Sequence, residues 1–319
     1  HPPPELRAGM IAAPQHRSFQ VAILIEQKER VLNMTGIIGT GLLGQALVSR
    51  LLAASPHVVG FDVDPERCRQ LAEKGAQVAS TVTDLASESV ILLCLPDSTT
   101  VASVLSLITP SISVGSVIID TTTGDPDDSR RAARQLAEQE IEYIDATVAG
   151  SSTQVEAGEG VFMVGGNPTA IDRCQHLLDA LSPHSFLLGP SGAGATMKLI
   201  MNLALGLNRA VLAETLALAE HANVDPRRAL EVLRNSPAYS AQMDSKGEKM
   251  IARDYHTQAR LSQHLKDVEL ILQLGEKSHC PLPLSLQHQT LLQKATDLGL
   301  AGQDNSAIIE AWRRDLGQP

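Results

Sequence analysis

The chain is poor in aromatic residues, poor in cysteine and without a long uninterrupted apolar run. Phe, Trp and Tyr make up 3% of its 319 residues, too few for the stacking platforms that grip single-stranded nucleic acid. The formal net charge is −10, with no basic stripe to offset it, which argues against non-specific binding to a phosphate backbone. Cys68, Cys94, Cys174 and Cys280 are scattered and form no CxxC pair. Buried thiols in a reducing, cytoplasmic compartment are therefore expected. The ten histidines show no HxxxH or HExxH spacing, so no metal site is expected. No apolar stretch reaches the ~18 residues of a membrane span.

What is present suits an enzyme-sized globular chain. Hydrophobic residues account for 43% and charged residues for 19%, enough for a sizeable core, and the length suggests two domains. Residues 1–33 fit poorly with the rest: His1 to Gln20 is rich in Pro, Ala and Arg, and Val21 to Ile25 is too short for a signal-peptide core. They are expected to be an extension outside the core, with Met34 as the natural start directly before the first strand.

The most informative segment is Gly39-Thr40-Gly41-Leu42-Leu43-Gly44, between an apolar run at Thr35 to Ile38 and a helical pattern at Leu42 to Ala53. A strand, glycine turn and helix leave backbone N–H groups pointing at an anion beyond the helix start. Gly39 permits the tight turn, Gly41 lets a diphosphate approach the backbone, and Gly44 lets the helix pack on the strand. A second strand, His57 to Phe61, delivers Asp62 to where an adenosine ribose would lie. A carboxylate there accepts bonds from both ribose hydroxyls and repels a 2′-phosphate, which favours NAD over NADP. Arg67 stands close enough to weaken that discrimination.

Beyond the first crossover the pattern alternates. Gln77 to Ala79, Ser89 to Leu95, Val117 to Asp120, Ile141 to Asp145 and Gly160 to Gly165 read as strands, the last of these closing the sheet. Helices are expected at Asp128 to Gln139 and Ile171 to Leu181, and a loop at Ala146 to Ser152. The loops after Leu95, Asp120 and Asp145 lie at strand carboxyl ends, where ligands bind in open parallel sheets. From Thr196 onward no strand is evident. Thr196 to Asn223 is one long helical pattern, apolar on most of its circumference and so expected to be buried between domains or subunits. Further helices are expected at Pro226–Asn235, Gln242–Ala252, Leu261–Ser278, Leu284–Leu298 and Ser306–Asp315. The resulting architecture is α/β: a Rossmann-type dinucleotide-binding domain with a mostly parallel sheet over 34–195, then an all-α helical domain over 196–319.

Lys198 and Asn202 share one face of the long helix, one turn apart. A lysine in so apolar a setting has its charged form disfavoured, which lowers its pKa toward working pH. That is what a proton donor or acceptor beside a carbinol or carbonyl oxygen needs. An ordinary solvated lysine is the competing reading.

From Met34 to Trp312 the chain resembles the β-hydroxyacid dehydrogenases, the group that includes 3-hydroxyisobutyrate dehydrogenase. The resemblance is carried by the GTGLLG turn, CLPDSTT at 94–100, DTTTGDP at 120–126, DATVAGSS at 145–152, GAGATMKLIMN at 192–202, LKD at 265–267 and GQDNSA at 302–307, in order and spacing. It implies that Lys198 is the acid/base and that Asn202 fixes substrate and lysine. Cofactor contacts are implied for Leu95, Pro96, Thr100, Thr122, Thr123 and Lys266, beside Gly39, Thr40, Gly41, Leu42, Leu43 and Asp62. Gly150, Ser151 and Ser152, with Thr122, are expected to donate to a substrate carboxylate; Ser151 to Gln154 also has capping-box spacing. The family usually reads D-A-P-V-S-G-G where this chain has Asp145-Ala146-Thr147-Val148-Ala149-Gly150-Ser151, so the substrate loop is altered. The expected activity is hydride transfer between NAD and a short β-hydroxy acid in a homodimer or homotetramer. Reduction of a related semialdehyde or imine, or a silent NAD-binding module, stays open.

Overall fold

The computed structural model describes residues 35–55 and 57–313; the expected extension over 1–33 lies outside them. The first strand, β1 (Thr35–Ile38), is followed by α1 (Leu42–Ala54), β2 (Val58–Phe61), α2 (Pro65–Lys74) and the short β3 (Gln77–Val78). The second run is β4 (Val90–Leu93), α3 (Ser98–Ile108), β5 (Val117–Asp120), α4 (Pro126–Ala137) and β6 (Glu142–Ala149). The sheet then ends with α5 (Ser152–Glu156), β7 (Val161–Gly165), α6 (Pro168–Leu181) and β8 (His184–Gly189). Spatially the eight strands run β3-β2-β1-β4-β5-β6-β7-β8, all parallel except the β6–β7 pair. The strand order reverses between β1 and β4, which opens a crevice at their carboxyl ends. This is the Rossmann-type sheet expected.

The central strands are buried on both faces, so alternate residues feed two cores. Ile37, Leu92, Ile119 and Ile144 pack on one side of the sheet, and Ile38, Ile91, Leu93 and Ile118 on the other. Their continuous apolar runs follow from this double burial.

Two expectations about the sheet are corrected. β6 does not stop at Asp145. Its first half pairs with β5 up to Asp120↔Asp145, and its second half pairs antiparallel with β7 from Asp145↔Gly165 to Ala149↔Val161. Most of the expected loop at 146–152 is therefore strand, held by a partner that follows it in the chain. Nor is β7 the last strand: β8 pairs parallel with it. β8 is an edge strand whose Phe186, Leu187 and Leu188 face outward, so it lacks the buried pattern that marks the others.

The helical half begins with α7 (Ala193–His221), then α8 (Pro226–Arg234), α9 (Ala241–Ala252), α10 (Leu261–Lys277) and α11 (Pro283–Ala295). α11 gives way to an irregular turn at Thr296–Leu300, where Gly299 takes a left-handed φ of 83°. A 3-10 turn at Asn305–Ile309 and the short α12 (Glu310–Arg313) follow. A buried ion pair, Lys246 Nζ to Asp304 Oδ1 at 2.9 Å, ties α9 to that turn.

By length and composition α7 could cross a membrane, but Lys198, Arg209, Glu214 and Glu220 interrupt it. Leu199, Leu212 and Leu216 are buried against the protein. The expectation of burial all round does not hold within one chain: Ile200, Val211 and Leu218 are 50%, 58% and 66% exposed. They form a stripe along one face.

Candidate active site

The glycine turn has the geometry its sequence implies. Gly39 adopts φ 89°, and a Cβ there would fall 2.3 Å from Cys94 O and 3.0 Å from the Leu95 side chain. A Cβ on Gly44 would fall 2.2 Å from Gly39 O. Side chains at either position would push the helix and the β4 loop apart. Gly41 is the N-cap of α1 and supplies no side-chain cap, so the first-turn N–H groups of Leu42 and Leu43 face outward with the positive end of the helix dipole. These residues fit a dinucleotide pyrophosphate, with Leu42 exposed beside it.

Asp62 is buried at the end of β2. Its Oδ2 accepts from Thr40 N at 2.6 Å and Thr40 Oγ1 at 3.2 Å, and its Oδ1 from Asp64 N at 3.0 Å. Burial alone would raise its pKa, but the Asp64 and Thr40 bonds and the nearby Arg67 cation outweigh that and hold it below the ordinary value. Thr40 N–H is thus committed to Asp62, so Thr40 organises the turn rather than offering its backbone donor to a phosphate. Arg67 Nη1 lies 3.5 Å from Asp62 Oδ2 and over Gly41.

The loops after β4 and β5 lock together. Leu95 N donates to Thr122 Oγ1 at 3.1 Å, and Thr122 N to the buried Asp120 Oδ1 at 2.9 Å. Thr122 Oγ1 accepts from Leu95 and its hydroxyl bonds the buried Asp120 carboxylate. Asp97 caps α3 by accepting from Thr100 N and Thr100 Oγ1, both at 2.8 Å, and Lys266 Nζ of α10 lies 3.2 Å from its other oxygen. Pro96 is exposed and Thr123 half-buried at the same rim.

The helix that carries Lys198 is seated by a carboxylate that the sequence reading did not single out. Asp145, almost wholly buried, accepts from Gly192 N at 2.7 Å and Ala195 N at 2.8 Å. It thereby caps the start of α7, and burial raises its pKa to about 6 despite those bonds. A Cβ on Gly194 would fall 2.3 Å from Met163 O, so only glycine lets this helix start meet the sheet. Its place in the DATVAGSS segment was the available signal.

Lys198 then projects beside the second half of β6, where its Nζ donates to Val148 O at 2.6 Å. Burial lowers its pKa, partly opposed by the Asp267 carboxylate. One turn on, Asn202 Nδ2 donates to Asp267 Oδ2 at 3.1 Å. Burial raises Asp267 to about 6, while Lys198 pulls the other way. Asp267 was visible in the LKD segment but was given no role. The half-buried lysine and the buried amide and carboxylate form one cluster next to Val148 O.

The serine loop carries the expected capping box. Ser151 N and Ser151 Oγ both bond Gln154 Oε1, at 2.9 and 3.1 Å, and Gln154 N returns to Ser151 Oγ. Ser151 is thus the cap of α5, and its backbone donor is taken. Gly150 (φ 128°) and Ser152 stand beside it. Among the described residues no three His, Cys, Asp or Glu side chains are placed to share a metal ion.

Comparison with known proteins agrees with this arrangement along most of the chain. Residues 34–189 match the profile described as the NAD binding domain of 6-phosphogluconate dehydrogenase. Residues 192–312 match that of the NAD-binding region of NADP-dependent 3-hydroxyisobutyrate dehydrogenase. The chain belongs to the β-hydroxyacid dehydrogenase family. This is a family of NAD(P)-dependent hydroxyacid dehydrogenases. It is 29% identical to 2-(hydroxymethyl)glutarate dehydrogenase of Eubacterium barkeri, covering 88% of this chain and 95% of that one. It is 30% identical to the chloroplastic glyoxylate/succinic semialdehyde reductase 2 of Arabidopsis thaliana, covering 87% and 79%. The crystal structure of 3-hydroxyisobutyrate dehydrogenase from Salmonella typhimurium superposes with a TM-score of 0.80 at 25% identity, covering 86% and 98%.

Proposed function

We propose that this β-hydroxyacid dehydrogenase moves a hydride between NAD and a short β-hydroxy acid resembling 3-hydroxyisobutyrate, with Lys198 as general acid/base. The observation that carries the reading is the cluster of Lys198, Asn202 and Asp267: a half-buried amine whose charge is disfavoured, one helical turn from an amide fixed on a carboxylate. The dinucleotide supplies the hydride acceptor or donor. In oxidation the Lys198 amine takes the hydroxyl proton; in reduction its ammonium protonates the developing alkoxide. Asn202 orients the oxygen, and Val148 O holds the lysine at the end of β6. Gly150 and Ser152 remain as donors toward a substrate carboxylate, with Thr122 and Ser151 acting through the shape of their loops. Asp62 favours NAD, with Arg67 moderating the preference.

In this reading the protein works in the cytoplasm, where its four free thiols stay reduced, and it pairs through the α7 stripe into a homodimer or homotetramer. Lys198→Ala is expected to abolish turnover while NAD binding persists. Near-normal rates in that variant, in a screen of short 2- and 3-hydroxy acids, would refute the assignment.

A further inference from the structure

Helix α10 is fastened at three points. Lys266 pairs with Asp97 of the loop after β4, and Asp267 holds Asn202 of α7. Lys277 Nζ reaches Asp125 at 3.1 Å and Asp127 at 2.6 Å, in the segment after β5. The two loops so engaged carry Thr100, Thr122 and Thr123, the residues assigned to the cofactor above. Asp97 itself cannot swing away, because Thr100 N and Thr100 Oγ1 hold its other oxygen.

We propose that Asp97 is a positioning residue that competes with the dinucleotide for the Lys266 ammonium. This rests on the dehydrogenase reading. Lys266 is a single compact charge on a flexible stem, and a pyrophosphate-bearing cofactor brings anions to the same rim. Asp97 holds the ammonium at the rim and sets how much of its attraction a dinucleotide receives.

The test is titration of NADH, followed by its own fluorescence, into the full-length protein and its Asp97→Asn variant. Asparagine caps a helix about as well as aspartate, so α3 and the fold are retained while the charge is removed. Asp97→Asn is expected to bind NADH about two- to fivefold more tightly at low salt, the range measured for exposed ion pairs. The gain should fade at high salt as the competing attraction is screened. In a Lys266→Gln background, which is expected to bind NADH more weakly, Asp97→Asn should change nothing further. Unchanged or weaker binding by Asp97→Asn, or the same gain without Lys266, overturns the proposal while leaving the dehydrogenase reading intact. A wild-type protein that binds neither NADH nor NADPH overturns both.

Discussion

Asp145 accepts a 2.7 Å hydrogen bond from the backbone N–H of Gly192, and with the second bond from Ala195 it joins the end of one sheet pairing to the start of the helix that carries Lys198. Replacing it with alanine strands two buried donors at a helix start. Asp145→Ala is expected to lose about 2–4 kcal/mol of stability, seen as a lower urea midpoint at unchanged m-value, together with most activity. A variant as stable as wild type would show that the helix start is held by something else.

Asp267 sets the protonation of Lys198 through its charge. Its carboxylate raises the lysine pKa that burial depresses. In Asp267→Asn the carbonyl still accepts from Asn202, but the support for the ammonium is gone, so the lysine pKa falls further. On the proposed mechanism oxidation needs the neutral amine and therefore rises with pH through that pKa. Its pH–rate profile should shift to lower pH in the variant, and a profile that stays put or moves upward contradicts the coupling.

On the proposed reading, cofactor choice is divided between Asp62 and Arg67. Asp62→Ala removes the ribose acceptor and also frees Thr40, so NAD affinity should drop about 10- to 100-fold, the range for hydrogen bonds to a charged group. The NAD over NADP preference should narrow with it. Arg67→Ala should weaken NADP binding and spare NAD, because its guanidinium lies beside Gly41 and Asp62, where a 2′-phosphate would sit. Equal losses for both cofactors in both variants would remove these residues from discrimination.

The stripe of Ile200, Val211 and Leu218 offers a direct test of assembly. Val211→Glu and Leu218→Glu together should convert the proposed oligomer to a monomer by light scattering, since each places a carboxylate in an apolar contact. A wild-type protein that is already monomeric ends this reading.

Much of this was legible from the amino acids because it is local. The glycine turn, the short apolar strand ending at Asp62 and the one-turn spacing of Lys198 and Asn202 each sit within a few residues of chain. What escaped needs partners far along the chain. β6 runs on past Asp145 only because β7 returns alongside it, and the small residues Ala146 and Ala149 do not announce a strand. β8 presents Phe186, Leu187 and Leu188 to solvent, so no burial pattern betrayed it. Asp145 and Asp267 stood in motifs already noticed, but their roles depend on Gly192, Ala195 and Asn202 meeting them in space. Ser151 was visible both as a cap and as a donor, and Gln154 occupies it as a cap.

The anchor of Lys198 is a backbone carbonyl, that of Val148. No exchange of side chain at that position deletes the acceptor, and the antiparallel pairing of β6 holds the peptide in place. Residues 149, 151 and 152 can therefore change while the amine stays where it is, with Gly150 (φ 128°) kept for its backbone. On the proposed mechanism, a lineage with this arrangement can trade one acid for another by drift in a short segment, with the proton-handling amine inherited unchanged.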